Sequence, residues 1–366
     1  MKKLLSLVLA LAMVLGMVSF ASAEEWKVAM ITDSGDITDM SFNQTTYEAC
    51  KAFCEANGIE FKYYKPAGDS TPDRVAMVDN AVEEGFNVIV MPGYLFGATI
   101  VEVMEEYSDI TFIMLDVGEG DLGGAVLTEN VFSAVYQEEL SGYMAGYAAV
   151  KLGYKHLGFL GGMAVPAVIR FGYGFVQGVN AAAVEMNIAD QVAVEYVYGN
   201  QFYGDADITA YMDNWYQNLG VEAVFACGGG IYTSAAEAAA KVGGKVIGVD
   251  TDQSANINRD YGEGITVTSA MKGLAATIED TLKDVIENDN WSAYGGQIAT
   301  LGLASEDPAA NYVQLPMDST VWTDGFTQEA YVALVKSMLS GELAVSNDIT
   351  AEPQVGYTVN FHANIK

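Results

Sequence analysis

The residues able to do chemistry gather where apolar, strand-like runs end. They are Asp33 to Asn43, Pro92-Gly93-Tyr94, Asp116, Tyr198 to Asp205, Cys227-Gly228-Gly229-Gly230 and Asp250-Thr251-Asp252-Gln253, with one prominent cation, Lys272, expected to open a late helix. Carboxylates and amides bind hydroxyl groups, an aromatic in a polar loop stacks on a flat ring, and glycines let a ligand approach the backbone. A phosphate would need more positive charge. The set fits a neutral ligand with a planar part and a hydroxylated part. Its densest stretch, Thr32 to Gln44, holds three aspartates, Phe42 and an amide pair, and reads as one jaw of a clamp.

Each of these residues also has a purely structural reading. Asp33, Asp36 and Asp39 serve equally as turn or helix caps, Phe42 as a hydrophobic staple, Gly228 to Gly230 as a tight strand-to-helix turn, and Lys272 as a solvated helix-start residue. The aspartate spacing is not that of a calcium loop, and Gly228 to Gly230 lack the spacing of a dinucleotide fingerprint. The only histidines, His156 and His362, sit at a strand start and near the tail, where neither a His-based triad nor a zinc cluster assembles. Acids are numerous enough for a glycosidase-type pair, but no two are singled out. No catalytic group, metal or cofactor is expected.

Elements of one rhythm must position these residues. Trp26 to Ile31 reads as a strand, and Ser41 is placed to cap a helix to about Asn57, with Tyr47, Cys50, Phe53 and Cys54 on one face. A strand over Ile59 to Lys65 follows, then a helix opened by Thr71-Pro72, a strand over Asn87 to Met91, a helix over Gly97 to Tyr107, and a strand from Thr111 that ends at Asp116. Ala125 to Leu127 is expected as a short strand, and Asn130 or Ser133 as the start of a helix to about Leu152. The alternation then restarts at His156 and runs to Val249. Short connections and nearly continuous apolar strands call for parallel sheets covered on both faces, an α/β class. Two such series without a tether predict two Rossmann-like lobes facing across a cleft: 24–128 with 271–302, and 129–270 with 303–366. The late segments cross back between lobes and form a hinge.

The chain opens with Met1-Lys2-Lys3, the apolar run Leu4 to Phe20 and Ala21-Ser22-Ala23, the pattern of a secretory signal peptide cleaved after Ala23. No cysteine precedes Cys50, so no lipidation cysteine follows the apolar run, and nothing later is long and apolar enough to span a bilayer. An exported protein, periplasmic or extracellular, is expected. With 17 basic against 48 acidic residues the net charge is −31, which repels nucleic acid and anionic membranes. At 51% hydrophobic residues the charge does not signal disorder. Cys50, Cys54 and Cys227 form no disulfide framework and read as buried small hydrophobes.

Thr32-Asp33-Ser34-Gly35 through Asp39-Met40-Ser41-Phe42-Asn43-Gln44 resembles the amino-terminal signature of the basic membrane protein family of ABC-transporter substrate-binding proteins, which includes purine-nucleoside receptors. Phe112 to Asp116, Arg170 to Gly178, the Gly228 to Gly230 turn, Gly248 to Gln253 and Ser269-Ala270-Met271-Lys272 resemble its later blocks in order. The resemblance implies a type I periplasmic-binding-protein fold with three crossovers, delivering a purine nucleoside to the transmembrane subunits of a permease. It also implies roles. Phe42 and Phe202 sandwich the base; Asn43, Asp116 and Lys272 reach its polar edge; Asp250 and the backbone of Gly228, Gly229 and Gly230 hold the ribose. Asp39, in the same stretch as Phe42, is a further candidate ligand-binding residue. Asp36 stands where a glycine is common in that family. On the residues alone, a sugar or another hydroxylated metabolite remains the alternative ligand, and a nucleoside or glycoside hydrolase a third reading.

Overall fold

The computed structural model describes residues 25–33 and 35–366. The expected signal peptide lies outside the described residues. The first lobe comprises β1 (Lys27–Ile31), α1 (Phe42–Asn57), β2 (Glu60–Tyr64), α2 (Thr71–Glu83), β3 (Val88–Pro92), α3 (Phe96–Val103), β4 (Thr111–Leu115) and β5 (Val131–Tyr136). The second comprises α4 (Glu138–Lys151), β6 (His156–Gly161), α5 (Pro166–Glu185), β7 (Ala193–Tyr198), α6 (Ala206–Asn214), β8 (Ala223–Cys227), α7 (Tyr232–Val242), β9 (Lys245–Asp250), α8 (Ser254–Tyr261) and β10 (Thr266–Lys272). The chain returns to the first lobe with α9 (Leu274–Ile286) and β11 (Gln297–Leu301), then ends in the second with β12 (Val313–Gln314), α10 (Gln328–Leu339) and β13 (Thr358–Phe361).

Sheet one has the order β11-β5-β4-β3-β1-β2 and sheet two β12-β10-β9-β8-β6-β7-β13. Within each lobe the first five strands therefore pair in the same order, 2-1-3-4-5, so the lobes repeat one topology. All pairs are parallel except β10 with β12. The central strands, such as Val88–Pro92 and Ala223–Cys227, are buried along their whole length, and separate apolar clusters fill both faces of each sheet. Parallel pairing forces helical crossovers, which is why both faces are covered.

Several sequence expectations shift. Ala125 to Leu127 is not a strand; Val131–Tyr136, expected as helix, is instead β5, paired with β4 and β11. Its β-branched and aromatic content suits a buried strand. The chain thus leaves the first lobe after Tyr136 rather than at residue 128, returns after Lys272, and crosses again between Leu301 and Val313. Lys272 ends a strand and does not open a helix. Ser70, not Thr71, caps α2 by accepting from Asp73 N.

Two glycine pairs bring the first helices of the second lobe into backbone contact. A Cβ on Gly142 or Gly146 of α4 would lie 2.2 Å from the carbonyl oxygen of Phe171 or Phe175 on α5. Conversely, a Cβ on Gly174 or Gly178 would lie 2.1 or 2.0 Å from the carbonyls of Glu139 or Tyr143. Only glycine permits this approach, and it sets the α4 N-terminus beside the start of α5.

Candidate ligand-binding site

Strands that end on the same edge of each lobe bring their loops to one interlobe cavity of about 660 Å³. Asp39, Phe42, Asn43, Asp116, Phe202, Gly228, Gly229, Gly230, Asp250 and Lys272 all border it. Asp116 follows β4 and Asp250 ends β9, the fourth strand of each lobe, and both take left-handed backbone angles, φ 61° and φ 65°. Such a conformation costs a non-glycine residue about 1–3 kcal/mol and collects at binding sites.

The first jaw is organised by Asp39. Its carboxylate accepts from Ser41 N at 2.8 Å, Asn43 N at 2.9 Å and Gln44 N at 3.0 Å, so Asp39 and not the Ser41 side chain caps α1. Burial raises the Asp39 carboxyl above its ordinary range, against these bonds. The cap fixes Phe42 and Asn43 on the cavity wall. Asn43 is buried, and among the described residues its Oδ1 has no hydrogen-bond partner. Ser41 instead turns its hydroxyl to Asp250 Oδ2 in the other lobe at 2.6 Å. Asp33 also borders the cavity; burial pushes its carboxyl up to about 6, opposed by the bond from Gly35 N.

The second jaw carries Phe202 on the loop after β7. A Cβ on Gly162 would lie 2.5 Å from the Phe202 ring, and one on Gly228 3.1 Å, so these glycines seat the ring. Gly162 was missed in the sequence because nothing local connects it to Phe202. Met163, Val168 and Phe171 add an apolar wall, and Gln201 and Thr233 a polar one.

Lys272 sits where the lobes meet. Its Nζ lies 2.6 Å from Asp116 Oδ2 and 3.1 Å from Glu138 Oε1, and 5.1, 5.2 and 5.5 Å from the ring centres of Phe42, Tyr136 and Phe171. Burial alone would depress the ammonium, but Asp116, Glu138 and Asp250 outweigh it and hold it above its ordinary range. Burial raises the Asp116 carboxyl, against the pull of Lys272. Asp116 Oδ1 has no hydrogen-bond partner among the described residues. Glu138 and Arg170, joined at 2.6 Å, complete the charged cluster and were not singled out in the sequence.

Among the described residues bordering the cavity, Lys272 is the only lysine or arginine, against the aspartates 33, 36, 39, 69, 116 and 250. No group of three or more histidine, cysteine, aspartate or glutamate residues suited to a metal occurs among the described residues. The wall offers an aromatic face, buried acceptors, one ammonium and close backbone: the means to bind, orient and desolvate a small neutral molecule.

Residues 26–308 match the family model Bmp, described as ABC transporter substrate-binding protein PnrA-like. The chain is 30% identical to the CD4+ T-cell-stimulating antigen of Listeria monocytogenes, over 71% of this chain and 73% of that protein. It is 24% identical to the ABC transporter nucleoside-binding protein BmpA of Lactococcus lactis, over 76% of this chain and 79% of that one. A solute-binding protein of an ABC transporter system from Aeropyrum pernix shares the fold, with a TM-score of 0.67 at 21% identity over 88% of both chains. Two parallel-sheet lobes of the type I periplasmic-binding-protein fold, with a family match across most of the chain, make this protein a member of the Bmp family of PnrA-like ABC-transporter substrate-binding proteins.

Proposed function

We propose that this protein captures a purine nucleoside in the interlobe cavity and presents the closed form to the membrane subunits of an ABC transporter. The observation that carries the reading is the pair of buried acceptors without a partner among the described residues, Asn43 Oδ1 and Asp116 Oδ1, beside the Phe42 ring and the Lys272 ammonium. A buried acceptor left unpaired costs about 1–3 kcal/mol, which a ligand donor recovers. A heterocycle with both donors and acceptors on its edge meets that wall, and its face stacks on Phe42 with Phe202 opposite. Asp250 and the Gly228 to Gly230 backbone then take the ribose. Asp39 contributes by fixing the helix start. The name of the Lactococcus relative supports the same ligand class.

No chemical step is assigned: the ligand leaves intact, and the leader pattern in the sequence supports a site of action beyond the cytoplasmic membrane. No helix among the described residues is long and apolar enough to cross a membrane.

A thermal-shift panel tests the reading. A ligand at 100 times its Kd raises stability by about 2.7 kcal/mol. Inosine, guanosine or adenosine should raise Tm, whereas ribose, arabinose and free glucose should not. A rise with a sugar alone would transfer the site to the sugar reading, and loss of intact nucleoside on incubation would support a hydrolase.

A further inference from the structure

We propose that Glu138 and Arg170, neither of which borders the cavity, are positioning residues for ligand capture: they hold the Lys272 ammonium against Asp116 and set the hydrogen-bonding character that Asp116 offers the ligand. The link to capture rests on the nucleoside reading above; the control of Asp116 rests on the geometry of the charged chain and the signs of its charges.

Four charged groups form a chain from lobe to lobe. Asp116 closes β4 of the first lobe; Lys272 ends β10 immediately before the second crossing; Glu138 begins α4 immediately after the first; Arg170 lies on α5 of the second lobe. The distances are 2.6 Å from Asp116 Oδ2 to Lys272 Nζ, 3.1 Å from Lys272 Nζ to Glu138 Oε1, and 2.6 Å from Glu138 Oε2 to Arg170 Nε. The Glu138 side chain is 0% exposed and that of Lys272 2%. A buried carboxylate between two cations is an arrangement that removing one partner disrupts strongly. The interlocked glycines Gly142, Gly146, Gly174 and Gly178 hold α4 and α5 close enough for Arg170 to reach Glu138.

The consequence for the ligand lies in the charge state of Asp116. An ionised carboxylate only accepts, whereas a protonated one also donates. Glu138 disfavours ionisation of Asp116, and Arg170 favours it. Lys272, shared between the two carboxylates, is drawn further toward whichever remains when the other is removed. The other titratable groups facing the cluster are Tyr136 of β5, Glu139 of α4, Cys227 of β8, Asp250 of β9 and Asp121 of the turn after β4.

Opposite changes at the two positions should therefore move Asp116 in opposite directions, which a merely structural role would not do. The ligand-free protein, labelled with 13C at aspartate carboxyls, is titrated by NMR, with Asp116→Asn assigning the resonance. Glu138→Gln should lower the Asp116 midpoint and Arg170→Met should raise it, each by about 0.5 pH unit or more. Glu138→Asp should restore it toward wild type. Calorimetry with inosine near the Asp116 midpoint should show affinities that move in opposite directions in Glu138→Gln and Arg170→Met, each by about threefold. Melting curves establish that each variant is folded; if Glu138→Gln is not, Arg170→Met and Glu138→Asp carry the test with the directions given. Midpoints that stay put, or move the same way in Glu138→Gln and Arg170→Met, would overturn the proposal. Opposite shifts in a protein whose wild type binds none of inosine, guanosine and adenosine would uphold the control of Asp116 and remove the nucleoside reading instead.

Discussion

The Ser41 hydroxyl of the first lobe donates to Asp250 Oδ2 of the second at 2.6 Å, and both residues are buried. Gln253 reinforces the junction by donating from Nε2 to Met40 O at 3.1 Å while accepting from Val249 N at 3.0 Å. The loop after β9 is thereby tied to the first turn of α1, directly at the cavity. Hydrogen bonds to a charged group contribute about 1.5–3 kcal/mol. Ser41→Ala should therefore open the empty protein, read as a larger radius of gyration by small-angle scattering, and weaken inosine binding. An unchanged radius and affinity would show that closure does not depend on this contact.

Gly162 is the position where a single methyl should act through an aromatic. Gly162→Ala would push its Cβ against the Phe202 ring, which must leave its seat. The loss expected is about tenfold or more in nucleoside affinity, within the 1–3 kcal/mol that one stacked base contributes. Phe202→Ala should weaken binding similarly, and the double variant little more than either alone. Additive losses by calorimetry would mean that Gly162 acts elsewhere.

Asp33 makes stability depend on pH in a definite direction. Its carboxyl is raised by burial to about 6 in the folded protein, above the unfolded value, so its contribution is present in acid and is lost as pH rises through about 6. Asp33→Asn, which can still accept from Gly35 N, should raise Tm at pH 8 and change it little at pH 4.5. Equal shifts at both pH values, measured by calorimetric melting, would contradict the assignment.

Glu195 anchors the last strand. It accepts from His156 Nε2 at 3.0 Å, His362 Nε2 at 2.5 Å and Asn360 Nδ2 at 2.8 Å, and so ties β6, β7 and β13 together. Burial works to raise this carboxyl, but the bonds from His362, Asn360 and His156 outweigh it and hold it below its ordinary range. The stabilisation is therefore present at neutral pH and is lost as pH falls through the folded value. Glu195→Ala should cost about 1–3 kcal/mol and speed amide exchange over residues 358–361 more than elsewhere. Uniform exchange across sheet two would show that β13 is held by its ladder alone.

The sequence carried the architecture wherever local signals were strong. Apolar pentapeptides such as Val88–Pro92 and Ala223–Cys227 declare buried parallel strands, and residues that follow such strands border one cavity. Val131–Tyr136 was misread because a β-branched run next to a good helix, with no glycine or proline between, gives no boundary to periodicity. The domain limits moved with it. Ser41 looked like a cap because its type and place are right, but the stronger acceptor, Asp39, takes that role and leaves Ser41 for the opposite lobe. Glu138, Arg170 and Gly162 act through partners 134, 32 and 40 residues away, and no local pattern announces such pairings.

Calorimetric titration of the ligand-stripped protein with inosine, guanosine and adenosine, alongside ribose and a nucleoside monophosphate, tests nucleoside capture most directly. One-to-one binding of at least one nucleoside is expected, with affinity lost in Phe42→Ala and Lys272→Ala and no heat from ribose or the monophosphate. Silence with all three nucleosides, together with saturable binding of a sugar, would contradict it.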